Sequence, residues 1–142
     1  MSRAIHTWEC VGGVLVAFST AGRMDDAIWD AMIEDLKSRP LVGYLGCTIG
    51  ATDTTSSQRK KATDTLKKRN LPCSIVTDNR FVVGVVTMVS WLSVNIKAHD
   101  WLHAMDAIRW IGVPDADAQR IFEALMRMRH AAMSELAPVG TG

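Results

Sequence analysis

The sequence predicts an α/β domain built on a mixed, largely parallel sheet of about five strands, flanked by helices and extended by a further C-terminal helix. Three observations carry this. Short apolar runs of strand length alternate with stretches of helical period. A Gly12-Gly13 pair separates the first two runs, which makes them an antiparallel hairpin. The later runs are each separated by a helix-length segment, the connection that parallel strands require. With 142 residues, 48% hydrophobic and 22% charged, the chain has the size and composition of one soluble domain. That domain is placed at residues 1–137, with 138–142 as a flexible tail.

Ile5–Val11 alternates as a strand, and Val14–Ser19 is the continuous apolar run of a buried strand. From Met24 to Lys37 the period changes. Ile28, Met32 and Leu36 share one helical face, Asp26, Asp30 and Glu34 the other, and Pro40 marks the stop. Leu41–Ile49 is a strand in which Gly43 and Gly46 permit close approach of a neighbour. Residues 50–57 (GATDTTSS) form a turn rich in capping residues, and Gln58–Asn70 is a mostly solvated helix with Ala62 and Leu66 as its apolar content. Cys73–Thr77 is a short buried strand. Asn79–Leu92 admits two readings, since its valines favour a strand while Asp78 as N-cap would open a helix with a broad apolar face. Val94–Ala98 follows as an edge strand. Asp100 caps a helix that Gly112 and Pro114 end, and Asp115 opens a long last helix carrying Ile121, Leu125 and Met133.

This order of elements resembles the STAS fold of anti-sigma-factor antagonists. More closely it is similar to the small bacterial proteins called SpoIIAA-like or STAS/SEC14-type. Ser57-Gln58-Arg59, the block SIVTDNRFVVGVVTMVSWLSVNIKAH (74–99) and AMDAIRWIGVP (104–114) carry the likeness, and the N-terminal part matches in element order only. The resemblance implies a helix at 79–92. It also implies a non-catalytic regulatory or scaffolding adaptor that works by protein–protein contact, on the pattern of an anti-sigma-factor antagonist. In the signalling branch a serine at the start of the second helix is phosphorylated. The matching region here is Thr54, Thr55, Ser56 and Ser57, although Asp53 is followed by two threonines where that branch carries an aspartate-serine-serine-glycine type of motif. The SEC14-type likeness implies the alternative, a carrier of a small apolar ligand. The core looks small for a deep pocket.

The residues themselves point the same way. A net charge of +1 gives no global pull toward nucleic acid or an anionic membrane. The hydroxyl cluster before the second helix suits capping, and equally suits phosphorylation or partner docking together with Arg59. Lys60, Lys61, Lys67 and Lys68, with Arg59 and Arg69, form a basic helix face suited to water or an acidic partner. No aromatic residue interleaves with it, as single-stranded nucleic acid would want. The start resembles no signal peptide, and Phe81–Leu92 is too short to span a bilayer, so a cytoplasmic location is expected. Cys10, Cys47 and Cys73 are expected as reduced, buried thiols. His99 and His103 lack a third metal ligand, and no P-loop, GxGxxG or GxSxG occurs, so no catalytic residue, metal or cofactor is expected. Five tryptophans and eight methionines fill a core or leave a face for a partner, a second copy or an apolar ligand. The methionines of the last helix favour self-association.

Overall fold

The structure, a computed structural model, describes residues 2–136. The tail assigned to 138–142 lies outside them. β1 (His6–Val11) and β2 (Val14–Ser19) form the expected hairpin, with Val11 opposite Val14. Gly12 and Gly13 both take positive φ, 57° and 79°, as a tight two-residue hairpin turn demands. The chain continues through β3 (Gly22–Arg23), α1 (Asp26–Ser38), β4 (Gly43–Thr48), β5 (Thr52–Asp53) and α2 (Ser56–Arg69). Next come β6 (Cys73–Val76), α3 (Arg80–Ser90) and β7 (Ile96–His99). A 3-10 turn at Trp101–His103 leads into α4 (Ala104–Ile111), and α5 (Asp115–Leu136) follows.

The main sheet has strand order β1-β2-β4-β6-β7, with β1 antiparallel and the rest parallel. This is the expected mixed, largely parallel sheet. A small second sheet pairs β3 with β5, two-residue strands too short to leave a periodic signature. Because the main order runs in one direction, successive right-handed crossovers all fall on one face of the sheet. The two halves of the core show that division. Leu15, Ala17, Tyr44 and Cys73 pack with Trp29, Met32 and Leu36 of α1 and Leu66 of α2. Val14, Val16, Phe18, Leu45 and Val76 pack with Ile108 of α4 and Ile121 and Leu125 of α5. β2 is therefore covered on both sides and buried along its whole length, which is why its sequence shows no alternation.

Local chemistry sets the ends. Asp25 caps α1 by accepting from Ile28 N, and the buried stripe is Trp29, Met32, Ile33 and Leu36, with Ile28 left outside. Gly43 is required by packing: a Cβ there would lie 2.3 Å from Ile111 Cγ2 on α4. Of the two readings of segment 79–92 the structure takes the helical one, over Arg80–Ser90. Its cap is Asn79 rather than Asp78, whose carboxylate instead accepts from Trp101 N at 3.1 Å and ties the start of α3 to the turn after β7.

One expectation fails. Cys47 and Cys73 are buried, but Cys10 is exposed. It lies near the turn end of the edge strand β1, where Asp35 and Arg39 at the end of α1 border it without covering it. A strand-like sequence does not ensure burial at a sheet edge. No helix among the described residues is long and apolar enough to cross a membrane.

Candidate functional site

α3 is the unusual element. Arg80 is its sole charged residue, yet only Val86 is buried. Its inner residues Val82, Val85, Val86 and Val89 do not close fully on the sheet. They roof a pocket of about 150 Å³. Tyr44, Gly46, Cys73, Ile75 and Ile96 of β4, β6 and β7 line its sheet side, and Arg59, Ala62, Thr63 and Leu66 of α2 line its flank. Gly46 helps to create the space, since a Cβ there would lie 2.8 Å from Tyr44 Cε1 and 3.0 Å from Ile75 Cδ1. The expectation of a core too small for a pocket thus gives way, because a roof of short valines over a glycine-bearing strand leaves a gap that larger side chains would have filled. An apolar cavity of about this size is enough to hold a benzene-sized molecule.

Most polar groups around the pocket are already occupied. Ser19 Oγ is 2.6 Å from His6 Nδ1, Thr48 donates to Thr77 at 2.8 Å, and Thr52 donates to the Thr20 carbonyl at 2.8 Å. Thr63 donates to the Lys60 carbonyl at 3.1 Å. Burial holds the His6 imidazole neutral, lowering its pKa from 6.5 to about 4. What faces a guest is hydrocarbon, with one exception. Arg59 is half-buried on the α2 flank and donates through Nη1 to the carbonyl and hydroxyl of Thr54.

The predicted hydroxyl cluster is therefore divided by the fold. Thr54 turns toward the pocket with Arg59. Thr55 is the N-cap of α2, accepting from Gln58 N at 3.1 Å while Gln58 Oε1 accepts from Thr55 N at 2.9 Å, a reciprocal capping box. Ser56 and Ser57 stand exposed on the first turn. The basic face is likewise split. Lys61 reaches Asp30 on α1 and Lys60 reaches Asp64, both at 2.8 Å. Arg69 donates to the Leu36 carbonyl at 2.6 Å. Lys67 borders a shallow groove with Trp91, Leu92 and Val94, and Lys68 points to solvent.

Two features escaped sequence reasoning. One is the inner valine row of α3, whose signal was an apolar content too broad for one buried stripe. The other is Gln58, buried and bonded to both the Met24 carbonyl (3.1 Å) and Asp26 (2.7 Å), whose signal was the Thr55-x-x-Gln58 spacing.

The histidine pair does not come together as a site. His103 is exposed and 2.6 Å from Asp100, while His99 is half-buried edge-on to Trp110, with Nδ1 buried and unpartnered. Among the described residues no group of three or more His, Cys, Asp or Glu side chains is placed to hold a metal ion. Comparison of the chain with models of known families and with curated protein sequences gives no match.

Proposed function

We propose that this protein binds and carries a small apolar molecule in the pocket beneath α3, the SEC14-type alternative raised by the sequence. The observation that carries the reading is a pocket of about 150 Å³ walled by hydrocarbon and roofed by a helix that is otherwise poorly buried. A roof held by a few valines opens at lower cost than a core helix, which gives a guest a way in. Trp29 lines the pocket and supplies the readout. Toluene and its near relatives should shift Trp29 fluorescence and raise the melting temperature. Val85→Phe, which fills the space, should weaken binding at least tenfold while leaving the far-ultraviolet circular dichroism unchanged. Undiminished binding in that variant would remove the pocket from consideration.

A second reading rests on a different observation. The outer face of α3 and the turn after it leave Phe81, Met88, Trp91 and Leu92 exposed by 59% to 77%. Contiguous apolar surface of this kind marks an interaction face. It supports the STAS-like adaptor, with a protein partner or a second copy of the chain covering the patch. The double variant Met88→Lys, Trp91→Ser should then fall to a monomer in sedimentation, or lose a partner retained by the wild type in native mass spectrometry. A wild type that is monomeric and partner-free in host extract would end this reading.

A further inference from the structure

We infer that the molecule taken up beneath α3 carries an anionic end, a carboxylate or a phosphate monoester, and that Arg59 is its receptor. The inference rests on the small-ligand reading above and adds the chemistry of the ligand's polar end. Arg59 is the one residue with a permanent charge among those lining the pocket. No carboxylate of the described residues lies within ion-pair distance of it, although Lys60, Lys61 and Arg127 each have one. A half-buried guanidinium without a counter-ion, flanked by apolar wall, is a ready receptor for an anion.

The geometry suits that role. Both bonds Arg59 makes use Nη1, to Thr54, which anchors the side chain beside the pocket. Nε and Nη2, the parallel pair of the guanidinium edge, have no partner among the described residues, and this edge matches the two oxygens of a carboxylate or phosphate. Of the other lining hydroxyls, those of Ser19, Thr48, Thr52, Thr63 and Tyr44 are already paired, which leaves Arg59 and the Thr54 hydroxyl that it holds as the donors open to a guest. No competing acid comes from the roof: residues 79–99 contain no Asp or Glu. The volume limits the apolar body to about one aromatic ring or a short branched chain.

Three probes of similar shape test this on the full chain by calorimetry at neutral pH: phenylacetate, phenyl phosphate and the neutral 2-phenylethanol. At least one anion should bind tenfold or more tightly than the alcohol, and the stronger one identifies the end group. That preference should shrink in high salt, a comparison needing no variant. Arg59→Gln should abolish the preference, weakening the anions at least tenfold more than the alcohol. Arg59→Lys, which keeps the charge but not the paired donors, should fall between. Equal affinity for all three, or a preference that survives Arg59→Gln, would overturn the anionic end while the pocket reading stands. Binding of none of the three would overturn both.

Discussion

Gln58→Ala should destabilise the fold by about 3 kcal/mol, a loss of about 10 °C in melting temperature for a domain of this size. Gln58 is 2% exposed and sits where the starts of α1 and α2 meet. Its amide donates to the Met24 carbonyl before α1 and to the Asp26 carboxylate in the first turn of α1, while its oxygen accepts from the Thr55 amide before α2. Truncation leaves these groups short of a partner and opens a cavity beside them, two penalties that act together. The Gln58 carbonyl also accepts from Trp29 Nε1 at 2.9 Å, so a slackened α2 should be visible in Trp29 fluorescence. Ser57→Ala, one residue earlier and exposed, should change stability by no more than about 0.5 kcal/mol. Urea denaturation of both variants decides the matter. A Gln58→Ala cost below about 1 kcal/mol would mean that the junction is not held by this side chain.

His6 should make the protein acid-sensitive. It is buried against Ser19 and Met32, with the rings of Trp8 and Trp29 within 6 Å, and burial depresses its pKa to about 4. Unfolded, the imidazole titrates near 6.5. Between these values the unfolded chain binds more protons than the folded one, so stability falls as pH falls. The contribution is complete above pH 6.5, declines toward about 4 and is then constant. At about 1.4 kcal/mol for each pH unit, about 3 kcal/mol is at stake. Carboxylates also titrate in acid, so the comparison is with His6→Gln. That variant should be less stable than wild type at pH 7.5, and the difference should narrow by about 3 kcal/mol at pH 4. A gap that is the same at both pH values would show that folding leaves the His6 pKa unshifted. Since His6 lines the pocket, its neutrality above pH 5 is also what leaves Arg59 as the single charge there.

Much of the fold was legible because period and turn chemistry act locally. Gly12-Gly13 between two apolar runs specifies the hairpin whatever surrounds it, and helix-length spacers between later runs oblige the strands to be parallel. The candidate site was legible only in part. Thr54, Thr55, Ser56, Ser57 and Arg59 stood out as a group, yet they divide into a pocket lining, a cap and two exposed hydroxyls. Thr54 and Thr55 precede the helix, where extended backbone turns successive side chains apart, and only rotation within α2 carries Arg59 away from the exposed Ser56 and Ser57.

By itself, then, the chain determined its α/β class, the hairpin, the order of its longer elements apart from segment 79–92, and the helix boundaries marked by Pro40 and Gly112. Tertiary structure alone decided three things. It left Cys10 in solvent, because β1 is an edge strand whose end α1 borders without covering. It made α3 a half-exposed roof, because its inner valines face a gap over Gly46 of the sheet and no described residue covers Phe81 and Met88 on its outer side. And it set Arg59 beside a pocket without a counter-ion, because the acids nearest in sequence, Asp53 and Asp64, do not meet it and Asp26 is taken by Gln58. Such facts depend on what lies across space, and no local pattern of residue types records that.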